Sequence, residues 1–162
     1  MKIRAMTPED WPDVSRIYQE GIETHQATFE TEVPSWETWN ESRLQTCRIV
    51  AEIDSKLLGW VAIALTSKRF AYHGVAEHSI YIGAEARGQG VGYALMKALI
   101  EQSEAEGIWT LYSSTFPENK ASIALHLKCG FRMIGYRERV AQHHGIWRNT
   151  VLLERRSKIV GV

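Results

Sequence analysis

Neither sign of charge dominates this chain: 19 Lys and Arg balance 19 Asp and Glu, for a formal net charge of zero. No basic field therefore points to nucleic acid or to an anionic membrane surface. Long hydrophobic runs are missing too. Met1-Lys-Ile-Arg-Ala-Met leads directly into Thr7-Pro8-Glu9-Asp10, so no signal peptide or membrane span is expected, and a cytoplasmic setting is. Cysteine is scarce: Cys47 and Cys129 stand in unrelated contexts, which predicts reduced structural thiols rather than a disulfide or a zinc site. The 6 histidines follow no ligand pattern such as His-Glu-x-x-His, and no metal is predicted. What remains, 44% hydrophobic and 23% charged over 162 residues, is the composition of a soluble globule able to form its own core. One domain over residues 1–162 is expected.

Glycine is concentrated where it matters. Ile80-Tyr-Ile-Gly-Ala-Glu-Ala-Arg87-Gly88-Gln89-Gly90-Val91-Gly92 opens as a β-branched and aromatic strand and passes through a glycine turn. Val91, Ala94, Leu95, Ala98 and Leu99 then recur at helical spacing. The first N–H groups of a helix have no internal partner, and the helix dipole adds positive charge there, so this strand–turn–helix is a candidate diphosphate cradle. Tyr93 and Ala94 after Gly92 exclude a Walker loop, and Tyr93 stands where a dinucleotide fingerprint needs its third glycine or alanine.

Taken in order, the chain predicts a strand at 2–6, a helix opened by Thr7 and Pro8 and running to about Thr24, and a loop from His25 to Pro34. A second helix follows the cap Ser35. Strands at 48–53 and 57–66 flank the turn Asp54-Ser55-Lys56. Beyond the glycine turn come a long helix to about Gly107, a strand at 108–115, a helix at 119–129, and strands at 131–140 and 146–154. This order implies a mixed α/β (α+β) fold: a mostly antiparallel sheet with helices on both faces, whose crossover at 76–115 makes its two strands parallel neighbours.

The motif Arg87-x-x-Gly90-x-Gly92 resembles the pyrophosphate loop of the GNAT superfamily of acetyl-CoA-dependent N-acetyltransferases, whose element order the chain follows over essentially its full length. Three further segments are similar to the phosphinothricin / methionine sulfoximine N-acetyltransferase family: Ile22 to Glu32, Glu77-His78-Ser79-Ile80-Tyr81-Ile82, and Asn119-Lys-Ala-Ser122-Ile-Ala-Leu-His126-Leu-Lys-Cys-Gly130-Phe131. The resemblance implies an enzyme that acetylates the α-amine of a small amino-acid analogue, with acetyl-CoA as cosubstrate. It places the general base at Glu77, which the strand pattern puts on one face with Val75, Ser79 and Tyr81. It places the acid that reprotonates the thiolate at His126. Coenzyme contacts fall on the main chain of Ile80, Tyr81 and Ile82, on Arg87, Gly88, Gln89, Gly90, Val91, Gly92 and Tyr93, and on Asn119 and Ser122, which also sit in the first turn of their helix. An oxyanion contact is implied for the Tyr81–Ile82 main chain.

For the acceptor, Lys68 and Arg69 are the expected holders of a carboxylate or phosphinate, with Phe29, His78 and Ser79 completing the pocket by position. The chain departs from the family on this side: Thr66-Ser67 precede the basic loop where an aromatic is usual, and His143 and Asn149 flank Trp147 where lysine and aspartate are usual. Other amines, such as a protein N-terminus or a polyamine, stay open as acceptors, as does a non-catalytic coenzyme A-binding domain. An aminoglycoside is disfavoured by the basic loop 67–72. The family often forms homodimers, which is the expectation for partners besides the small-molecule amine.

Overall fold

The computed structural model describes all residues, 1–162. Strand β1 (Lys2–Ala5) enters a 3₁₀ turn at Pro8–Asp10 before α1 (Trp11–Glu23). The Thr7 N–H donates to Asp10 Oδ2 at 2.8 Å, and the Asp10 N–H donates to the Thr7 carbonyl at 3.0 Å. Two Arg4 nitrogens hold the same Asp10 carboxylate at 2.7 and 2.8 Å. The expected helix start is therefore real but tighter than an α-turn. In α2 (Trp36–Ser42) the cap Ser35 Oγ accepts from the Thr38 N–H at 3.2 Å.

Strands β2 (Ile49–Ile53) and β3 (Lys56–Leu65) form a hairpin whose turn residues Asp54 and Ser55 both have positive φ. A 3₁₀ turn at Phe70–Tyr72 precedes β4 (Val75–Ile82), and another at Ala84–Ala86 follows it. Then come α3 (Val91–Ala105), β5 (Thr110–Thr115), α4 (Lys120–Lys128), β6 (Arg132–His143) and β7 (Ile146–Arg156).

All seven strands join one sheet in the order β1-β2-β3-β4-β5-β7-β6. Every pairing is antiparallel except that of β4 with β5, the strands joined by the crossover through α3. This is the mixed, mostly antiparallel sheet with one parallel crossover pair expected from the element order. Alternation along the central strands divides the core in two. Trp60 and Ala62 of β3 face α1 and α2, packing with Val14, Ile17, Tyr18 and Trp39. Val61 and Ile63 face the other way, onto Leu95, Met96 and Leu99 of α3 and onto Phe131 after α4. The helices cover the β1–β4 half from both sides, and the site forms where β4 meets α3, α4 and the β5–β7–β6 half.

Candidate active site

The parallel pair that organises the sheet is short. β4 and β5 pair only through Val75↔Thr110, Ala76↔Leu111 and Glu77↔Tyr112, although both strands continue. Past Glu77 the strands part. Residues 79–82 keep β3 on one edge and have no ladder partner on the other, so their main-chain groups face a gap. Buried main-chain polar groups need partners, and an extended ligand laid in the gap supplies them as another strand does. A cavity of about 960 Å³ occupies the opening and runs from Gly88, Gly90 and Gly92 past Ile80 to Ile82 as far as Glu77.

At one end lies the glycine turn. Gly90 caps α3 at φ 82° and Gly88 sits at φ 73°, a region where side chains are strained. No atom lies within 4 Å of where a Cβ would stand on either glycine, so the space above the N-terminus of α3 is open to an anion. Arg87 lines the cavity here and donates from Nε to the Ile82 carbonyl at 3.3 Å. Gln89 does not line it: its amide donates back to the Glu85 carbonyl at 2.6 Å and braces the turn. Lys128, at the end of α4, stands with its Nζ 4.8 Å from the centre of the Tyr93 ring and also lines the cavity. Sequence reasoning passed over Lys128 because nothing local links it to the turn; only the packing of α4 beside α3 does.

At the other end stands Glu77, opening onto the cavity. Burial of the surroundings raises its pKa above the usual carboxylate range, and the Arg43 guanidinium opposes the shift. Ser79, two residues on and on the same face, accepts from Arg43 Nη2 at 3.3 Å. The next residue on that face is Tyr81, whose ring lies 4.9 Å from that of Trp60 and 4.7 Å from that of Tyr18. Its side chain is thus locked beneath α1, and its main chain is left to face the gap. Gly21 allows this: a Cβ there would stand 2.6 Å from the Tyr81 ring.

His78 points the opposite way from Glu77. Its Nε2 lies 2.8 Å from Nε2 of His126, and both residues are buried. His78, expected in the acceptor pocket, does line the cavity, but the strand's alternation turns its ring to the α4 side, where it also meets Phe131 at 5.3 Å between ring centres. His126 Nδ1 donates to the Ser122 carbonyl at 2.6 Å. Burial lowers the pKa of His126, the Ser122 carbonyl offsetting part of the effect. Asn119 caps α4 through its Oδ1, which accepts from the Ser122 N–H at 3.2 Å, while its Nδ2 donates to the Gln26 carbonyl at 3.1 Å.

That last bond ties the 25–30 loop to α4. Arg148 of β7 ties it again, donating to the His25 carbonyl at 3.1 Å and to Gln26 Oε1 at 3.2 Å. Phe29 then packs on Phe116 with ring centres 4.8 Å apart and lines the cavity. His143 is buried beside Phe116, Phe29, His25 and His144. In this chain the position therefore helps to hold the loop.

Lys68 and Arg69 are not brought to the cavity. Both are exposed, and the Arg69 guanidinium lies over the Tyr72 ring at 5.5 Å. On the acceptor side Arg137 lines the cavity, whereas Arg43 bonds Ser79 without lining it. The strand registers place Tyr112 and Ser114 of β5, Leu152 and Thr150 of β7, and Arg137 of β6 on the face of Glu77. Arg137 lines the cavity and enters none of the ion pairs that hold Arg4, Arg16, Arg132, Arg148 and Arg155. Its register partner Thr150 is 2% exposed and has an unpartnered Oγ1. The bulge between Arg137 and Ala141 breaks the alternation of β6, so the sequence pattern gave no sign of the orientation of Arg137.

A family model described as the acetyltransferase (GNAT) family matches residues 7–131. The phosphinothricin N-acetyltransferase of Alcaligenes faecalis is 36% identical over 163 residues, covering 94% of this chain and 81% of that one. The L-methionine sulfoximine/L-methionine sulfone acetyltransferase of Pseudomonas aeruginosa is 25% identical over 158 residues, covering 94% and 92%. Among solved structures, a GNAT superfamily phosphinothricin acetyltransferase from Sinorhizobium meliloti, crystallised in complex with AcCoA, matches with a TM-score of 0.87 and 27% identity over 99% of this chain and 90% of that one.

Proposed function

The chain belongs to the acetyltransferase (GNAT) family, and from that premise we propose that it transfers the acetyl group of acetyl-CoA to the α-amine of a small amino-acid analogue of the phosphinothricin or methionine sulfone type. The observation that carries this reading is the gap between β4 and β5, which joins an open helix N-terminus to a carboxylate of raised pKa within one cavity.

The N-terminus of α3, with Arg87 and Lys128 beside it, takes the coenzyme's diphosphate and neighbouring phosphate. The free edge of residues 79–82 pairs with the pantetheine amides and brings the thioester to the level of Glu77. Glu77 removes a proton from the acceptor's ammonium, directly or through a water, because only the neutral amine has a lone pair for attack. Of the two carboxylates lining the cavity, Glu77 and Glu30, Glu77 is the one on the strand that borders the gap. The Tyr81–Ile82 main chain supports the oxyanion, and His126 returns a proton to the departing thiolate. Arg137 with Thr150 takes the acidic group of the acceptor, the part first expected of Lys68 and Arg69. Residues 1–162 act as one catalytic domain in the cytoplasm, and acetylation of this kind detoxifies the acceptor by removing its charge.

Release of free thiol from acetyl-CoA tests the reading. Methionine sulfone and phosphinothricin are expected to drive it, and Glu77→Gln and His126→Ala to slow it. Coenzyme that binds while a broad amine panel releases no thiol leaves a binding domain instead of an enzyme; full turnover in Glu77→Gln removes the base.

A further inference from the structure

Arg43 carries a charge with no counter-charge in contact. The Leu44 N–H donates to the Ile63 carbonyl at 2.9 Å, which lays residues 43 and 44 along β3 beyond its pairing with β2. Arg48 fixes this stretch, its guanidinium donating to the main-chain carbonyls of Asn40, Arg43 and Leu44 at 2.8, 3.0 and 2.6 Å. The Arg43 side chain is therefore not needed to hold its own backbone. It reaches across β3 instead, where the residues opposite Ser79 and Glu77 are only Ala62 and Ala64, and donates from Nη2 to Ser79 Oγ at 3.3 Å. Its Nη1 donates to Ser42 Oγ at 3.3 Å, and its Nε is buried with no partner. The Trp39 ring, 6.0 Å from the guanidinium carbon, stands at the edge of cation–π range. Arg43 forms no ion pair, unlike Arg4, Arg16, Arg132, Arg148 and Arg155. A guanidinium does not shed its proton, so this half-buried one keeps its charge and the cost of desolvating it. Glu77 stands two residues from Ser79 on the same face. Tyr112 and Glu154 share that face through the sheet register, and Arg137 and Glu30 line the same cavity. Glu154 is engaged by Arg132, and Tyr112 keeps its hydroxyl proton, chiefly through burial. The Arg43 charge is the one that counters the desolvation of the Glu77 carboxylate.

We propose that Arg43 is a positioning residue for acetyl transfer: its guanidinium, anchored on Ser79, keeps the Glu77 carboxylate ionised without touching it and leaves both carboxylate oxygens to the acceptor. The inference rests on the reading of Glu77 as the base. A guanidinium in contact pairs with a carboxylate through two parallel N–H bonds and occupies the lone pairs that must take the proton. Contact also depresses the carboxyl pKa, which makes a weaker base. With no opposing charge, desolvation alone keeps the group protonated over more of the pH range, with nothing to accept. A cation beyond contact lies between these two cases. Once Glu77 has taken a proton from the acceptor's ammonium, the Arg43 charge favours release of that proton to solvent, which restores the base.

Carbon NMR of the side-chain carboxyls on the full chain, with the Glu77 signal identified by its absence in Glu77→Gln, tests this together with pH profiles of kcat/KM. Arg43→Met keeps an unbranched stem and removes the charge, so the Glu77 titration and the acid limb of kcat/KM are expected to move up together by about half a pH unit or more. On the acid side of the limb that is about a threefold loss of kcat/KM, regained at higher pH where Glu77 is ionised in both proteins. Arg43→Lys, which returns a cation, is expected to move both back toward the wild type. The proposal is overturned by a Glu77 titration unchanged in Arg43→Met, whatever happens to Tm, because Arg43 is then structural only. It is equally overturned by a titration that moves as far in Arg43→Lys, because the charge is then not the cause. Should Arg43→Met fail to fold, Arg43→Gln, an uncharged donor that can still bond Ser79, gives the same readings. The spectra need no turnover, so the two failures separate. Full turnover in Glu77→Gln removes the base; an unmoved titration in an enzyme that needs Glu77 removes only the role of Arg43.

Discussion

Two side chains on the Glu77 face carry sharp expectations. The Glu77 carboxylate is exposed only to the cavity, whose packed walls desolvate it and raise its pKa, so the folded protein holds its proton more tightly than the unfolded chain does. Stability tied to this group is then present at low pH and declines as pH rises from the ordinary glutamate range through the higher folded pKa. With Glu77 as the proposed base, activity is expected to run the opposite way, since only the ionised carboxylate accepts a proton. A pH profile of kcat/KM should lose activity as pH falls through a pKa above the ordinary ~4.3 of glutamate. Glu77→Gln should abolish that limb and lower kcat/KM by about 10²–10⁴; an unchanged limb assigns it to another group. Arg137→Ala should raise KM for methionine sulfone by about tenfold or more, equivalent to roughly 1.4 kcal/mol or more for a charged hydrogen bond. The decarboxylated amine, 3-(methylsulfonyl)propylamine, serves as control, and equal losses on both acceptors count against an anion contact. Glu77 was legible because strand alternation is local. Arg137 was not, because a bulge and two intervening strands determine where it points.

Among the elements, the turn into α3 is the one that composition alone nearly specifies. The positive φ of Gly90, with open space where a Cβ would stand, makes its requirement one of backbone conformation rather than packing. Gly90→Ala should therefore destabilise the fold by about 1 kcal/mol from the left-handed strain alone. It should also weaken coenzyme binding, because the added methyl enters the anion's space; calorimetry that finds affinity unchanged contradicts the cradle. Gly92 differs. Its Cβ would stand 3.1 Å from Leu125 Cδ2, so it sets how closely α4 approaches α3 and brings Lys128 to the cavity. The caps at Ser35 and Asn119 were readable from residue type. The three short 3₁₀ turns were not, because they reflect how the chain is pulled between elements already fixed elsewhere.

For the whole molecule the decisive feature is the unzipped parallel pair. A ligand filling the gap between β4 and β5 binds the folded state alone, so it adds stability through mass action. Acetyl-CoA at a hundred times its Kd should contribute about 2.7 kcal/mol, seen as a rise in Tm. Glu77→Gln, which leaves the gap and the glycine turn untouched, should keep that rise. A rise lost together with the carboxylate places the coenzyme elsewhere.

Sequence by itself determined the order and type of the elements, the glycine turn and the face on which Glu77 stands, because hydrophobic period, caps and backbone freedom act within a few residues. Tertiary structure alone decided that β4 and β5 separate after three residue pairs, that His78 meets His126, and that Arg137 rather than Lys68 or Arg69 reaches the cavity. Those outcomes depend on sheet register, a bulge and the docking of α4. Each is set by contacts between residues tens of positions apart, which no local pattern encodes.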